Sequence, residues 1–170
     1  MHHDAECAST PVFRLLDPAA TAAVGAALFA LVERGDAVCL TGPLGAGKTT
    51  LARGLLQAAL GGVDVPSPTF TLVEVYETPA FPIAHFDLYR LEDPEEIDEL
   101  GLDEALESGV CRIEWPERAA GRLPRALIVV ALEPDDRDAR RVRIRAPRAR
   151  IDRFAAALRS VAAPIKDCND

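Results

Sequence analysis

The chain has 170 residues, 49% of them hydrophobic, which supplies one domain-sized core, so a single globular domain over residues 1–170 is expected. A formal net charge of −8 argues against a sequence-independent grip on nucleic acid. No apolar run approaches the roughly eighteen residues of a membrane span, and the polar Met1–Thr10 does not read as a secretory leader, so a soluble cytoplasmic protein is expected.

Asp17-Pro18 reads as a helix N-cap with proline at the first helical position, and Val24, Leu28 and Leu31 recur at helical spacing until Gly35. Ala37–Leu40 is a short apolar strand leading into Gly42. Thr49–Leu60 is helix-competent and stops at Gly61-Gly62. Thr69–Tyr76 and Ile83–Leu88 are β-branched and aromatic runs on either side of a turn over 79–82, and both read as strands. Asp93-Pro94-Glu95-Glu96 has the form of a capping box opening a short acidic helix. Val110–Trp115 reads as a strand that Pro116 ends, Ala126–Leu132 and Arg141–Ala146 as a hairpin, and Ile151, Phe154, Leu158 and Val161 as the apolar stripe of a last helix. Residues 1–10 and 164–170 are expected to be mobile tails. This order predicts a three-layer α/β domain of the P-loop NTPase type: a mixed, mostly parallel central sheet with an antiparallel hairpin toward one edge, and ligand at the carboxyl ends of the strands.

The segment Gly42-Pro43-Leu44-Gly45-Ala46-Gly47-Lys48-Thr49 fits G-x-x-x-x-G-K-[ST], in which glycines let consecutive backbone N–H groups turn inward around phosphate oxygens. Lys48 is expected to reach the β- and γ-phosphates of ATP, Thr49 to place its hydroxyl on Mg²⁺, and Thr50 to bond the α-phosphate. Such a loop needs acidic partners for the metal, and Asp87 and Glu114 each end an apolar strand. Two carboxylates on one Mg²⁺ serve as ligand and water-orienting base; which does which stays open at this stage. Ser67-Pro68-Thr69 falls where γ-phosphate-sensing segments lie, although a proline turn with a serine cap accounts for it equally well locally. Trp115 covers the nucleotide, meets a partner or packs in the core, and His85 reads as a core residue.

Cys7, Cys39, Cys111 and Cys168 show no metal-ligand spacing and read as free thiols, and His2-His3 receive no metal. Charge is uneven. Residues 1–111 carry 5 basic and 18 acidic side chains, a balance of −13, whereas residues 112–160 carry 13 arginines against 7 acids, a balance of +6. Glu92–Glu107 alone holds nine carboxylates and no base, so an acidic docking surface stands beside the plainer reading of a solvated face.

Taken together, Gly45-Ala46-Gly47-Lys48-Thr49-Thr50, Ser67-Pro68-Thr69-Phe70-Thr71-Leu72-Val73, His85-Phe86-Asp87-Leu88-Tyr89-Arg90-Leu91 and Glu114-Trp115-Pro116-Glu117 resemble, in order and spacing, the small bacterial TsaE (YjeE) family of ATPases. The resemblance spans roughly Leu15–Ile144. It implies a role in forming threonylcarbamoyladenosine (t6A) in tRNA through a complex of TsaB and TsaD, so that tRNA is met only indirectly. It carries ATP to the phosphate loop and Lys48, Mg²⁺ to Thr49 and Glu114, the Walker-B role to Asp87, and a switch-like part to the segment from Ser67 to Thr71. Pro43 departs from the family, which usually has an acid there; it offers neither carboxylate nor N–H. A nucleotide-gated binding module with little hydrolysis is the alternative. A small-molecule kinase ranks third, because no arginine-bearing lid stands between the phosphate loop and Asp87.

Overall fold

The computed structural model describes residues 6–62, 64–65, 71–119 and 121–165. Fourteen labelled elements follow the chain: β1 (Cys7–Ser9), β2 (Phe13–Leu15), α1 (Pro18–Phe29), β3 (Ala37–Thr41), α2 (Lys48–Ala59), β4 (Val73–Tyr76), β5 (Ile83–Asp87), α3 (Glu96–Glu99), α4 (Leu102–Ser108), β6 (Val110–Glu114), β7 (Leu127–Pro134), β8 (Arg140–Pro147), α5 (Ile151–Val161) and β9 (Ala163–Pro164). The sheet runs β4-β5-β6-β3-β7-β8-β2-β9, with β1 also on β8. Its centre, β5-β6-β3-β7, is parallel throughout. The predicted hairpin is β7–β8, antiparallel, but β4 also pairs antiparallel with β5, so the sheet reverses at both edges rather than one. The reason is the short connection over 77–82, which joins neighbouring strands without the helical crossover a parallel pair needs.

The local signals act as their chemistry demands. Asp17 accepts a hydrogen bond from the Ala20 N–H and Pro18 opens α1. The Asp93 carboxylate accepts from the Glu95 N–H while the Glu96 carboxylate accepts from the Asp93 N–H, a reciprocal cap ahead of α3. The tails are better anchored than expected at their inner ends. Cys7–Ser9 pairs with β8, and the Ile165 N–H donates to the Val12 carbonyl, because β8 and β2 offer unpaired edges there.

Alternation in β3 splits the core. Val38 and Leu40 face α1, α2 and α5 with Phe13, Leu28, Leu51, Leu55 and Phe154. Ala37 and Cys39 face the opposite layer with Phe86, Leu91, Ile97, Leu102 and Ile113. Burial pushes the Cys39 and Cys111 thiols up to about 12, so both remain protonated packing residues. Helices α1 and α2 approach unusually closely: a Cβ on Gly25 would lie 2.0 Å from the Leu51 carbonyl oxygen, and one on Gly54 would lie 2.0 Å from that of Ala22. Glycine at both crossing points fixes α2, and with it the loop that opens α2, against the sheet.

Candidate functional site

The carboxyl ends of β3, β5 and β6 lie side by side, and the predicted residues gather there. Thr41 ends β3, residues 42–47 turn, and α2 starts at Lys48. The turn is shaped by backbone rather than side chains. Gly42 has φ 141°, and a Cβ there would lie 2.2 Å from the Leu132 carbonyl oxygen of β7. Only glycine fits between the strand and its neighbour. Gly47, left-handed at φ 101°, caps α2 without a side-chain bond, so the free N–H groups of the first turn and the positive end of the helix dipole face the loop. This is a cradle for an anion with several oxygens, such as a phosphate chain.

Lys48 Nζ donates to the Gly42 carbonyl at 2.6 Å, across the loop mouth, and lies 4.7 Å from the centre of the Trp115 ring. Asp87 and Glu114 are register partners at the ends of β5 and β6. Burial raises the Glu114 carboxyl above the usual range; Arg112 and Lys48 oppose that rise and Asp87 adds to it. A buried carboxyl beside a second carboxylate at the mouth of an anion-binding loop is chemically suited to a divalent cation. Among the described residues no group of three or more His, Cys, Asp and Glu side chains could hold a metal. A cation here would therefore take ligands from Asp87, Glu114, the Thr49 hydroxyl and the anion itself. Thr49 is exposed and Thr50 half-buried, both in the first turn of α2. Gly45 is exposed and Ala46 fully buried within the loop. Ser67 and Thr69 lie outside the described residues.

Trp115, open as cover or core at the sequence level, packs in part against the second core cluster and also meets the site through Lys48. It is half-buried, adopts φ 59°, a left-handed conformation that is costly for a bulky residue, and stacks tilted on Tyr89 at 5.0 Å. The Tyr89 N–H donates to Asp87 Oδ1 at 3.2 Å, and Arg118 lies over the Tyr89 ring, so an aromatic and cationic rim follows the two carboxylates.

Three further residues matter that sequence reasoning treated lightly. His85 and Arg112 are register partners one layer below the carboxylates. Burial, with Arg112 alongside, holds His85 down to about 3, so it is neutral, and its Nε2 stands 3.6 Å from Glu114 Oε1. Arg112 is 5% exposed and reaches the same oxygen at 4.0 Å. The signal for Arg112 was a lone cation in mid-strand among apolar neighbours. Arg140, which the sequence does not single out, donates from Nη2 to the Gly45 carbonyl at 3.1 Å. The signal that would have found it is topological: β7 is parallel to β3, so the β7–β8 turn must lie at the loop's end of the sheet.

A separate cleft of ≈ 930 Å³ between the start of α1 and the end of α5 is lined by Leu16, Ala20, Val161 and Ile165 with Arg14 and Arg159. No helix is long and apolar enough to cross a membrane among the described residues.

The family model described as "Threonylcarbamoyl adenosine biosynthesis protein TsaE" matches residues 15–142. The tRNA threonylcarbamoyladenosine biosynthesis protein TsaE of Haemophilus influenzae is 47% identical over 113 residues, covering 66% of this chain and 71% of that protein. The protein of the same name from Bacillus subtilis is 39% identical over 127 residues, covering 73% of this chain and 79% of that one. Among solved structures, that of Bacillus subtilis YdiB superposes with a TM-score of 0.73 at 28% identity, over 91% of this chain and 97% of the other.

Proposed function

The chain belongs to the TsaE family of threonylcarbamoyl adenosine biosynthesis proteins, and we propose that it serves tRNA t6A modification as a Mg²⁺-dependent ATPase acting on a complex of TsaB and TsaD. One observation carries the reading: a glycine-shaped loop at a helix N-terminus, with Lys48 across its mouth, opens beside the paired strand ends Asp87 and Glu114. In it the N–H groups of Gly45 and of Gly47 to Thr49 bind phosphate oxygens, Lys48 sets a point charge against the β- and γ-phosphates, and Thr50 bonds the α-phosphate. Thr49, Asp87 and Glu114 would hold Mg²⁺, which when bound neutralises charge on the β- and γ-phosphate oxygens.

The remaining catalytic work falls to this chain's side chains. Glu114 and Asp87 share the roles of ligand and water-orienting base. His85, kept neutral, and Arg112 both face Glu114 Oε1 and limit how its carboxylate turns. Ser67 and Thr69 act as a γ-phosphate-sensing segment, and hydrolysis is slow until a partner engages the site. The acidic surface from Glu92 to Glu107 gives that partner a charged contact. tRNA is reached only through the partner complex, in the cytoplasm. Pro43 leaves binding intact, since the phosphate-facing N–H groups start at Gly45.

The experiment is to measure ATP turnover by the isolated chain and by its mixture with TsaB and TsaD at two salt concentrations, alongside t6A formation. Partner-dependent turnover with t6A formation supports the reading. Turnover indifferent to the partners, with modification proceeding equally without this chain, refutes it. Nucleotide-dependent assembly without turnover would favour the gated binding module instead.

A further inference from the structure

Arg140 has a setting that the proposed chemistry does not use. It opens β8, just past the β7–β8 turn, and its side chain reaches the phosphate loop. Nη2 donates to the Gly45 carbonyl at 3.1 Å, while Nη1 donates to the carbonyls of Ala139 at 2.8 Å and Arg137 at 3.3 Å. A Cβ on Gly47 would lie 3.7 Å from Arg140 Cγ and 3.8 Å from Nε, so the stem packs on the glycine that caps α2. Nε is buried and has no hydrogen-bond partner among the described residues. The guanidinium thus spans two elements, one fork on the hairpin turn and one on the loop, through backbone carbonyls alone.

We infer that Arg140 is a positioning residue for the phosphate loop, holding the Gly45 peptide so that the N–H groups beyond it face the phosphates. The inference rests on the nucleotide reading above. Its physical basis is the planarity of the peptide: in a trans unit the carbonyl and the following N–H point in opposite directions. Holding the Gly45 carbonyl on Arg140 therefore fixes the Ala46 N–H on the opposite side, where it donates to the Pro43 carbonyl at 3.1 Å and closes the turn, leaving the later N–H groups of the loop for phosphate. A glycine-rich loop otherwise has many accessible conformations, and each one frozen out before binding is entropy not lost on binding. An arginine fork suits this work better than a lysine, because a planar group can engage two separate carbonyls at once.

The test compares wild type with Arg140→Ala and Arg140→Lys, each first confirmed folded by circular dichroism and thermal melting. Affinities for Mg²⁺-ATP and Mg²⁺-ADP are measured with fluorescent analogues, and backbone hydrogen exchange of the peptide covering Gly42–Lys48 is followed without nucleotide. A positioning role predicts that Arg140→Ala weakens both nucleotides about equally, on the order of tenfold, the scale of losing a charge-assisted hydrogen bond. It also predicts faster exchange at Gly45–Gly47, with Arg140→Lys restoring only part of either effect. Unchanged affinity and exchange in Arg140→Ala overturn the inference. So does an ATP loss well beyond the ADP loss, which marks a direct γ-phosphate contact, and so does complete recovery by lysine, which marks a diffuse charge effect. Wild-type protein that binds neither nucleotide sinks the nucleotide reading itself, and this inference with it.

Discussion

Gly54→Ala should destabilise the protein although it places the best helix former in the interior of a helix. The added Cβ would lie 2.0 Å from the Ala22 carbonyl oxygen, 2.7 Å from its carbon and 2.9 Å from the Ala22 Cα. Ordinary contacts start near 3.4 Å, so α1 and α2 must part by about 1 Å or more. All three atoms belong to the backbone, so no rotamer change relieves the clash. Parting the helices loosens Val24 and Leu28 on one side and Leu51 and Leu55 on the other, each nearly fully buried. Overpacking of this kind costs about 1–3 kcal/mol, against a helix-propensity gain of up to about 1 kcal/mol. The net loss should be about 1–2 kcal/mol, or a fall in Tm of about 2–8 °C at this chain length. Urea and thermal unfolding of the purified variant measure it. Because α2 starts at Lys48, ATP affinity should weaken as well. Gly54→Ala melting at or above the wild-type temperature would refute the close-approach argument, and the companion Ala22→Gly/Gly54→Ala should show no rescue, since the obstacle is a carbonyl.

Further substitutions probe the site directly. Glu114→Gln and Asp87→Asn keep shape while deleting charge from the cation site, so each should cut ATP turnover at least about tenfold while changing ATP affinity much less; wild-type turnover in both would remove the metal assignment. His85 is held down to about 3 from an ordinary 6.5, so the unfolded chain takes up that proton first. The stability it confers is complete above about pH 6.5 and is lost as pH falls toward 3, by about 3 kcal/mol at pH 4.5. In denaturant titrations, His85→Gln should therefore lose less stability than wild type between pH 7 and pH 4.5, and an identical loss would count against a buried neutral imidazole. Cys39 and Cys111 should ignore a thiol reagent at pH 8 in the native protein and react on unfolding; rapid native labelling of either would contradict their burial.

Much of the architecture was legible because its signals are local. Asp17-Pro18, the Asp93–Glu96 cap, the glycines around Lys48 and the hairpin pattern of β7 and β8 each act within a few residues, and the structure places helices and strands where they indicate. Asp87 and Glu114 were legible for the same reason, as acids at the ends of apolar runs. What could not be read was set by pairing across the sheet. The reversal of β4, the docking of Cys7–Ser9 on β8 and the return of Arg140 to Gly45 depend on which strands become neighbours, and no local pattern encodes that. Arg112 and His85 were hidden differently. Each looks like a packed strand residue, and only the register shows that they lie in one row beneath Glu114. The backbone at Trp115 was likewise invisible, since nothing in Glu114-Trp115-Pro116 announces a left-handed tryptophan.

The central claim is that the loop from Gly42 to Thr50 binds the phosphates of a nucleotide, and titration of a fluorescent ATP analogue into wild type and Lys48→Ala tests it most directly. Lys48 Nζ lies across the loop mouth at 2.6 Å from the Gly42 carbonyl, where a phosphate would compete for it. Removing that charge-assisted bond, worth about 1.5–3 kcal/mol, should weaken Mg²⁺-ATP binding at least about tenfold while adenosine, which has no phosphate, binds both proteins equally poorly. Equal ATP affinity in wild type and a folded Lys48→Ala would contradict the account.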